Sequence, residues 1–383
     1  MAEQGRSIAL VSPRFAPYIG GVERHVEKIA CGLLGRGYVV EVVTTDPSHE
    51  LPPVERRDGL TVRRFPTAGR GQGLLFAPSL GSWLTANASR YQILHAHSYH
   101  APPAMQSAIV SRLTGVPLVI TTHFHGTSHY PSHRWIHDIY RPMARMAFNQ
   151  ARALICVTES ERRLVDSLLR GRTPIFVIPS GADLDEADSV IPWPKRPGTR
   201  LVIVVARLEK YKQVDHVVES LIYLPSNYNL VVVGQGPARE GLESLAASLG
   251  VSDRLQILQD LSRPALISWY LAADVAVSIS LMEAQGLTIM EAVGAGCPMV
   301  LSDIPAHREA EAWVPPGCLS FVAADAHATD IASSIQAAAG GNRCEASKVR
   351  TWDRTLDDLI ACYDYVLERS SATEPTANPA GKL

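Results

Sequence analysis

The chain of 383 residues is longer than the roughly 250–300 residues at which a single hydrophobic core stops growing, so it predicts two domains. With 46% hydrophobic residues, and 36 basic against 38 acidic side chains for a net charge of −2, the composition excludes disorder of the whole chain and a mainly electrostatic nucleic-acid binder. No apolar run approaches the ~20 residues of a membrane span and no apolar signal stretch follows Met1, which predicts a soluble, cytoplasmic protein.

In the first half of the chain, short β-branched runs alternate with helical stretches, which is typical of parallel βα units. The predicted strands are 8–12, 39–44, 61–64, 93–97, 118–122, 153–157 and 175–178. Between the first two, Val22–Leu34 places its apolar residues on one helical face and ends at Gly35. This set predicts an N-terminal Rossmann-like domain over residues 1–190.

A Pro-rich segment at 191–198 interrupts the pattern and is typical of a linker. A second set of predicted strands follows at 201–206, 230–234, 255–258, 275–278, 299–302 and 319–322. It predicts a second domain over residues 191–351. The fold class is therefore α/β, with two doubly wound Rossmann-like domains facing each other across a cleft, and ligands are expected at the carboxyl ends of the strands.

The final predicted helix, residues 352–370, carries an apolar stripe that includes Leu356, Leu359, Ile360, Tyr363 and Leu367. Because the second array of strands is already complete before Thr351, we expect this helix to cross back onto the first domain and tie the two domains twice. Residues 371–383 are polar and small, and are predicted to form a disordered tail.

Glycines follow two of the predicted strands. Gly20 and Gly21 stand directly before a helix, where free backbone N–H groups could face an anion, although a tight turn explains them equally well. Gly234 permits a ligand to approach the backbone closely, or simply forms a turn. The loop with Gly20 and Gly21 lacks the Gly-x-Gly-x-x-Gly fingerprint, which disfavours a dehydrogenase.

The most informative segment is 280–298, which follows a predicted strand. Gly286 allows a sharp turn into the helix Leu287–Val293, so that Glu283 lies in the loop and Glu291 on the helix. Eight residues of helix would separate the two carboxylates by ~12 Å, beyond the ~5–9.5 Å of a glycosidase pair. The spacing instead suits two parts of an extended ligand, with a diphosphate at the helix N-terminus, although two solvated glutamates are the simpler alternative.

Positive charge to meet a diphosphate occurs after the first strand of the second domain. Arg207 offers a planar fork of donors and Lys212 a mobile point charge, which together suit phosphate oxygens. Taken alone, such residues are usually surface charges.

Eight of the thirteen histidines lie between His95 and His137, and His97, His123 and His125 follow predicted strands. His-x-His pairs can bind zinc, but zinc takes three or four ligands and no acidic or cysteine partner has suggestive spacing, so hydrogen bonding to a polar substrate is preferred over a metal or a buried structural role. The six cysteines are scattered without a Cys-x-x-Cys pair and are interpreted as reduced, packed thiols. No metal and no cofactor are predicted.

Taken together, these loops resemble the retaining glycosyltransferases of the GT-B fold that carry a Glu-x(7)-Glu motif, which include bacterial mannosyl- and N-acetylglucosaminyltransferases. The likeness runs from Gly-Gly-Val-Glu-Arg-His-Val at 20–26 to Thr-Trp-Asp at 351–353, and is most specific at Glu283 and Glu291 with Arg207 and Lys212 upstream. It implies that the N-terminal domain binds the acceptor and the C-terminal domain the nucleotide sugar.

Site residues are assigned from these motifs and the resemblance. The resemblance implies that Glu291 holds the ribose, Glu283 contacts the donor sugar, and His123 lies near the reacting carbon. The predicted catalytic residues are His123, Glu283, Arg207 and Lys212. The predicted donor-binding residues are Gly20, Gly21, Arg207, Lys212, Gly234, Gly286, Leu287, Thr288 and Glu291. The predicted acceptor-binding residues are His97 and His125.

This chain departs from the family pattern around the donor sugar. The family often has Glu-Gly-Phe-Gly where Glu283-Ala284-Gln285-Gly286 stands, Gln213 replaces a frequent glycine, and Ser180 a frequent asparagine. Gln259 also occupies a position that is usually glycine. No charged group of the phosphate site is lost, so an active enzyme is predicted.

The implied reaction is transfer of a sugar, with retention of configuration, from a nucleotide diphosphate sugar to a hydroxyl group. UDP is favoured over GDP by family frequency alone. Arg207, Lys212 and a helix N-terminus would stabilise the departing diphosphate without a metal, and the resemblance implies that the leaving phosphate accepts the acceptor's proton. A sugar phosphorylase or nucleotide-sugar epimerase on the same frame, and a non-catalytic nucleotide-sugar-binding module, are the alternatives.

The acceptor stays open between a small molecule and a lipid-linked compound. Residues 128–148 include Trp135, Tyr140 and Arg141 and could form an amphipathic patch with weak peripheral membrane contact. A core-packed helix with solvated arginines is the preferred interpretation.

Overall fold

The computed structural model describes residues 5–70, 75–124, 134–169, 173–183 and 189–371. The chain divides into two compact units. Unit 1 consists of Met1–Ile178 and Thr355–Leu383, and unit 2 of Pro179–Arg354. The division therefore falls before the Pro-rich segment, and residues 179–190 belong to unit 2.

Unit 1 is built around a sheet of eight strands, counted over the described ranges, in the order β3-β4-β2-β1-β5-β6-β7-β8. The strands are β1 Ser7–Ser12, β2 Val39–Asp46, β3 Val54–Arg57, β4 Leu60–Pro66, β5 Ile93–His97, β6 Leu118–Thr121, β7 Ala153–Cys156 and β8 Ile175–Val177. All neighbours are parallel except β3, which pairs antiparallel with β4. Buried runs such as Ile8–Val11 are typical of a parallel sheet covered on both faces.

The helices of unit 1 connect these strands. They are α1 Gly21–Gly35, α2 Pro78–Asn87, α3 Pro102–Thr114, α4 Arg134–Gln150, α5 Glu159–Leu168 and the last helix of the chain, α12 Trp352–Ser371, which begins in unit 2. Helix α1 buries Val26, Ile29 and Leu33, the face that the sequence predicts. None of the helices in the described ranges combines the length and the hydropathy that a membrane span requires.

Unit 2 contains a sheet of six parallel strands, again counted over the described residues, in the order β11-β10-β9-β12-β13-β14. The strands are β9 Arg200–Val205, β10 Tyr228–Val233, β11 Leu255–Leu258, β12 Val275–Ser278, β13 Met299–Ser302 and β14 Leu319–Val322. Its helices are α6 Val214–Ser220, α7 Arg239–Ser248, α8 Arg263–Ala272, α9 Leu287–Gly294, α10 Pro305–Glu309 and α11 Ala328–Ala339. This is the Rossmann strand order, and the predicted fold class of two Rossmann-like units is confirmed.

Two distant segments of unit 2 are joined by backbone pairing. Ala182 forms a parallel β-bridge with Thr351, and its N–H donates to the carbonyl oxygen of Arg350 at 2.8 Å. Gly181 lies so close to this segment that a Cβ atom would stand 2.2 Å from the carbonyl carbon of Thr351. The chain therefore enters unit 2 and leaves it through segments that are hydrogen-bonded to each other.

The interpretation of all six cysteines as reduced thiols is wrong for two of them. Cys318 and Cys344 form a disulfide with their Cα atoms 5.6 Å apart. The pairing depends on tertiary contacts, because Cys318 lies just before β14 while the N–H of Cys344 donates to the carbonyl oxygen of Gly296. The other cysteines, Cys31, Cys156, Cys297 and Cys362, are free thiols.

Helix α12 buries its apolar face within unit 1. Leu356, Leu359, Tyr363 and Val366 are buried, whereas Ile360 and Leu367 of the predicted stripe are only partly buried. Leu356 fills the space that a Cβ atom on Gly32 of α1 would need. The Tyr363 hydroxyl lies 2.7 Å from Nδ1 of His95, whose Nε2 lies 2.7 Å from Oγ1 of Thr121. Residues 372–383 of the predicted tail lie outside the described ranges.

This buried hydrogen bond predicts the effect of a single hydroxyl. Tyr363→Phe should lower the free energy of unfolding by ~1–3 kcal/mol, because it leaves a buried imidazole nitrogen without its partner. Tyr365→Phe on the same helix removes a hydroxyl that accepts a hydrogen bond from exposed Arg369 and should change stability by less than ~0.5 kcal/mol. Urea unfolding of the two variants measures the difference, and equal losses would contradict the assignment.

Candidate functional site

The strand order of unit 2 brings two of the predicted charged residues, Lys212 and Glu283, to one point of the sheet. Strands β9 and β12 are neighbours, and the connections from them lead to opposite sides of the sheet, which is where open α/β sheets bind ligands. The loop after β9 carries Lys212, and the loop after β12 carries Glu283. The two loops are joined by the N–H of Leu281, which donates to the carbonyl oxygen of Tyr211 at 2.9 Å.

Lys212 and Glu283 form an ion pair with side chains that are 13% and 16% exposed. Burial acts to raise the pKa of the Glu283 carboxyl, but the Lys212 ammonium and the His307 imidazole outweigh it, so that the pKa lies below its ordinary value. Glu283 is therefore a carboxylate at neutral pH. The pair is accessible enough to meet a ligand and buried enough for its charges to act strongly.

Glu291 has a cationic partner that the sequence analysis missed. Nη1 of Arg263, on the first turn of α8, lies 2.5 Å from Oε1 of Glu291 on α9. In the sequence Arg263 lies a few residues beyond the predicted strand 255–258, and an arginine in such a place is too common to be informative. In this arrangement Arg263 holds the Glu291 carboxylate in one orientation at the edge of the site.

The turn into α9 requires its glycine. Gly286 has φ 82°, a left-handed conformation that side chains rarely adopt, and the helix Leu287–Gly294 begins directly after it. Leu287 and Thr288 thus occupy the first turn of α9, where backbone N–H groups lack partners within a helix. At position 234 glycine is required by packing, because a Cβ atom there would lie 1.8 Å from the carbonyl oxygen of Ala206.

Arg207 is half exposed and lies close to the same loop. Its Nη2 donates to the Tyr211 hydroxyl at 3.3 Å, and Nη1 lies 3.8 Å from Oε1 of Glu209. Both contacts are long, so the guanidinium can reorient toward an anion at modest cost.

Two residues that depart from the family pattern, Ser180 and Gln285, contact each other. The Gln285 side chain accepts from the N–H of Ser180 at 2.9 Å and donates to the carbonyl oxygen of Ser180 at 3.1 Å. Gln285 is buried, so this two-point contact fixes the loop before Gly286 against the entry segment of unit 2. Gln213, the third departure, has φ 51°, which explains why glycine suits that position.

His307 on α10 is a second residue that the sequence analysis missed. Its Nδ1 lies 2.9 Å from the carbonyl oxygen of Ser302, and its Cδ2 faces Gly286. Nε2 has no hydrogen-bond partner among the described residues, although the ring is fully buried. Burial lowers the pKa of His307 despite the nearby Glu283, and the ring packs against the loop that contains Gly286.

In unit 1 the corresponding point lies between β1 and β5. Gly20 has extended backbone, and Gly21 begins α1. Glu23, in the first turn of α1, accepts from Nε of Arg14 at 2.9 Å. The glycine loop is therefore held by an ion pair next to the carboxyl end of β5.

Three histidines converge at this end of the sheet. His97 ends β5, His123 follows β6, and His25 lies on α1. One ring nitrogen from each of the three lies within 4.8 Å of the other two. The sequence predicted His97 and His123 but missed His25, whose signal was its place one helical turn after Gly21. His125 lies outside the described residues.

The histidines of this group are neutral. Burial lowers the pKa of His25 to about 4 and lowers those of His97 and His123 well below the ordinary value. Both ring nitrogens of His97 and Nε2 of His123 have no partner within the described part of the chain. His95 differs, because Tyr363 and Thr121 occupy both of its nitrogens.

Matches to family models cover most of the chain. Glycosyltransferase Family 4 matches residues 19–186, and Glycosyl transferases group 1 matches residues 186–332. A D-inositol 3-phosphate glycosyltransferase of Geodermatophilus obscurus is 28% identical over 95% of this chain and 89% of its own length. The protein of the same description from Mycolicibacterium paratuberculosis is 29% identical over 91% and 88%.

Solved structures of similar fold span almost the whole chain. Sucrose-phosphate synthase from Thermosynechococcus elongatus has a TM-score of 0.76 at 18% identity and covers 96% of this chain and 98% of its own. Anabaena HepE in complex with UDP and glucose has a TM-score of 0.66 at 18% identity, covering 96% and 97%. The chain belongs to the glycosyltransferases of the GT-B fold, with a family 4 domain followed by a group 1 domain.

Proposed function

We propose that the protein transfers a sugar from a nucleotide diphosphate sugar, with UDP as the preferred nucleotide, to a hydroxyl group of a small-molecule acceptor, with retention of configuration. The observation that carries this proposal is the set of charges at the end of β9 and β12, where Lys212 and Glu283 stand beside the N-terminus of α9. Crystals of a neighbour in fold that contain UDP and glucose support the choice of nucleotide.

The leaving diphosphate would be stabilised by Lys212, Arg207 and the first-turn N–H groups of α9. These groups supply fixed positive charge where negative charge develops, and one such donor typically contributes ~3–4 kcal/mol to transition-state stabilisation. A divalent ion is not required for this task. Glu291, held by Arg263, would bind the ribose hydroxyls, and Glu283 the donor sugar.

Retention follows if attack and departure take place on the same face of the sugar. Glu283 is engaged by Lys212, which makes it a poor nucleophile. The departing phosphate would then accept the proton of the acceptor hydroxyl, and His123 would hydrogen-bond the sugar near the reacting carbon.

A small polar acceptor is preferred over a lipid-linked one. The carboxyl edge of the unit 1 sheet presents buried imidazoles, which suit hydroxyl groups, and relatives at 28–29% identity are described as D-inositol 3-phosphate glycosyltransferases. Met143 and Arg145 of α4 are described, but the side chains of 134–141 are not, so the amphipathic patch adds no support for a lipid.

The test combines donor and acceptor panels. UDP-glucose, UDP-N-acetylglucosamine and GDP-mannose are each incubated with inositol 3-phosphate, free inositol and a lipid-linked polyol, and the anomeric configuration of the product is read by NMR. We expect an α-linked product from a UDP-α-sugar and a small polyol. An inverted product, a sugar 1-phosphate formed with orthophosphate, or an isomerised donor without acceptor would each reject the proposal.

Substitutions of Glu283 and Glu291 should have different effects on UDP binding and on kcat. Glu291→Gln should weaken UDP binding by roughly tenfold or more, because a hydrogen bond to a charged group contributes ~1.5–3 kcal/mol, whereas Glu283→Gln should mainly lower kcat. Exposed Glu311→Gln in the same unit is the control and should change neither. Calorimetry with UDP and steady-state kinetics measure both quantities, and equal losses of UDP affinity would show that the assignment is wrong.

A further inference from the structure

Among the histidines of unit 1, His25, His97 and His123 form a group with the geometry of a metal tripod. Their ring centroids are separated by 5.7 Å for His25 and His97, 4.9 Å for His25 and His123, and 5.7 Å for His97 and His123. A tetrahedral ion ~2.0–2.1 Å from three imidazole nitrogens spaces the ring centres by roughly 5 Å. Small rotations of the rings would therefore bring three nitrogens onto one ion.

Ring nitrogens without hydrogen-bond partners indicate that this group of histidines binds a polar ligand. A buried polar atom without a hydrogen bond is costly, yet in the described part of the chain both nitrogens of His97 and Nε2 of His123 have none. His95, whose ring centroid is 4.3 Å from that of His97, satisfies both of its nitrogens and so cannot be a ligand.

The sequence analysis disfavoured a metal because zinc takes three or four ligands. The fold brings a third histidine to the group. His97 and His123 come from neighbouring strand ends, and helix α1 contributes His25 as the third. His123 is partly exposed, whereas His25 and His97 are buried. Three histidines, with a water molecule as the fourth ligand, are the ligand set of many zinc sites.

We propose that His25, His97 and His123 bind one Zn²⁺ ion through their imidazole nitrogens. Because the ion would occupy the lone pair of His123, its binding should inhibit sugar transfer reversibly; this second effect rests on the function proposed above. The site is then inhibitory, and the enzyme freed of metal is the active form.

Metal binding can be tested without any assay of transfer. The full-length protein, free of a histidine tag and treated with chelator, is titrated with Co²⁺, which reports tetrahedral sites through visible absorption. We expect saturation at one ion per chain and displacement by Zn²⁺. His97→Gln should weaken Co²⁺ binding by at least about tenfold. Even the loss of a residue that hydrogen-bonds a metal ligand can weaken metal binding by that factor.

Two further variants complete the experiment. His25→Gln provides an independent ligand loss in case His97→Gln does not fold, and exposed His327→Gln in unit 2 is the control and should bind Co²⁺ like the unchanged protein. Absence of saturable binding, or unchanged binding in both ligand variants, would overturn the proposal. If Zn²⁺ binds but transfer is unaffected, the inhibitory role fails while the metal site stands. If no donor is used under any condition, the transferase proposal fails and the titration still decides the site.

Discussion

Lys212→Ala should lower kcat/KM by about 10²–10³-fold, the loss typical of removing one preorganised charge from a site where an anion departs. In the proposed function Lys212 acts on the diphosphate, and in the structure it pairs with Glu283, so the variant should weaken UDP binding as well as slow turnover. Lys210→Ala, two residues earlier in the same turn and exposed, is the matched control. Retention of more than about a third of the activity by Lys212→Ala would contradict the role.

The same variant should change the dependence on pH. In the intact protein the pKa of Glu283 is lowered, because Lys212 and His307 outweigh burial. The stability contributed by this ionised carboxylate is therefore present above its unfolded-state pKa and is lost as the pH falls through the lower, folded-state value. Without Lys212, burial raises the pKa of Glu283, and the acid limb of residual activity should move to higher pH. A pH profile of kcat measures this shift, and an unmoved limb would show that Lys212 does not govern the carboxylate.

Gly181→Ala should destabilise unit 2 by about 3 kcal/mol or more, because its Cβ atom would meet backbone rather than a side chain that can move away. The three nearest atoms, the carbonyl carbon and oxygen of Thr351 and the N of Trp352, lie 2.2–2.4 Å from that position. Relief would require breaking the bridge between Ala182 and Thr351.

A second glycine provides the control for this substitution. Gly241 lies inside α7 with nothing within 4 Å of an added Cβ atom, so Gly241→Ala should raise stability by ~0.5–1 kcal/mol. Thermal unfolding of both variants measures the contrast. For a unit of this size each kcal/mol shifts Tm by roughly 2–4 °C, so Gly181→Ala should lower Tm by about 6–12 °C. A shift of less than 2 °C would contradict the close approach.

Features set by local pattern could be predicted from the sequence. The parallel strands follow from buried β-branched runs, and the place of Glu283 and Glu291 follows from a glycine turn between a strand and a helix. Strand β3 could not be found, because Val54–Arg57 is short and charged, and it exists only by pairing with β4.

Features that depend on contacts between distant residues could not be predicted. Arg263 meets Glu291 across 28 positions, and Gln285 meets Ser180 across 105, so neither pair leaves a local signature. The disulfide between Cys318 and Cys344 is of the same kind. His25 was hidden for a different reason, since a histidine in the first turn of an amphipathic helix is usually an ordinary partly buried residue.

The position of α12 has a consequence for how the protein is made. His95 and Tyr363 are 268 residues apart in sequence, and ribosomes add ~5–20 residues per second, so β5 emerges roughly 15–50 s before its partner helix. All of unit 2 is synthesised within that interval. On a translating ribosome, the strands β1–β8 of unit 1 are therefore all present before the helix that covers His95, and His95 stays without its tyrosine partner until the last part of the chain is made.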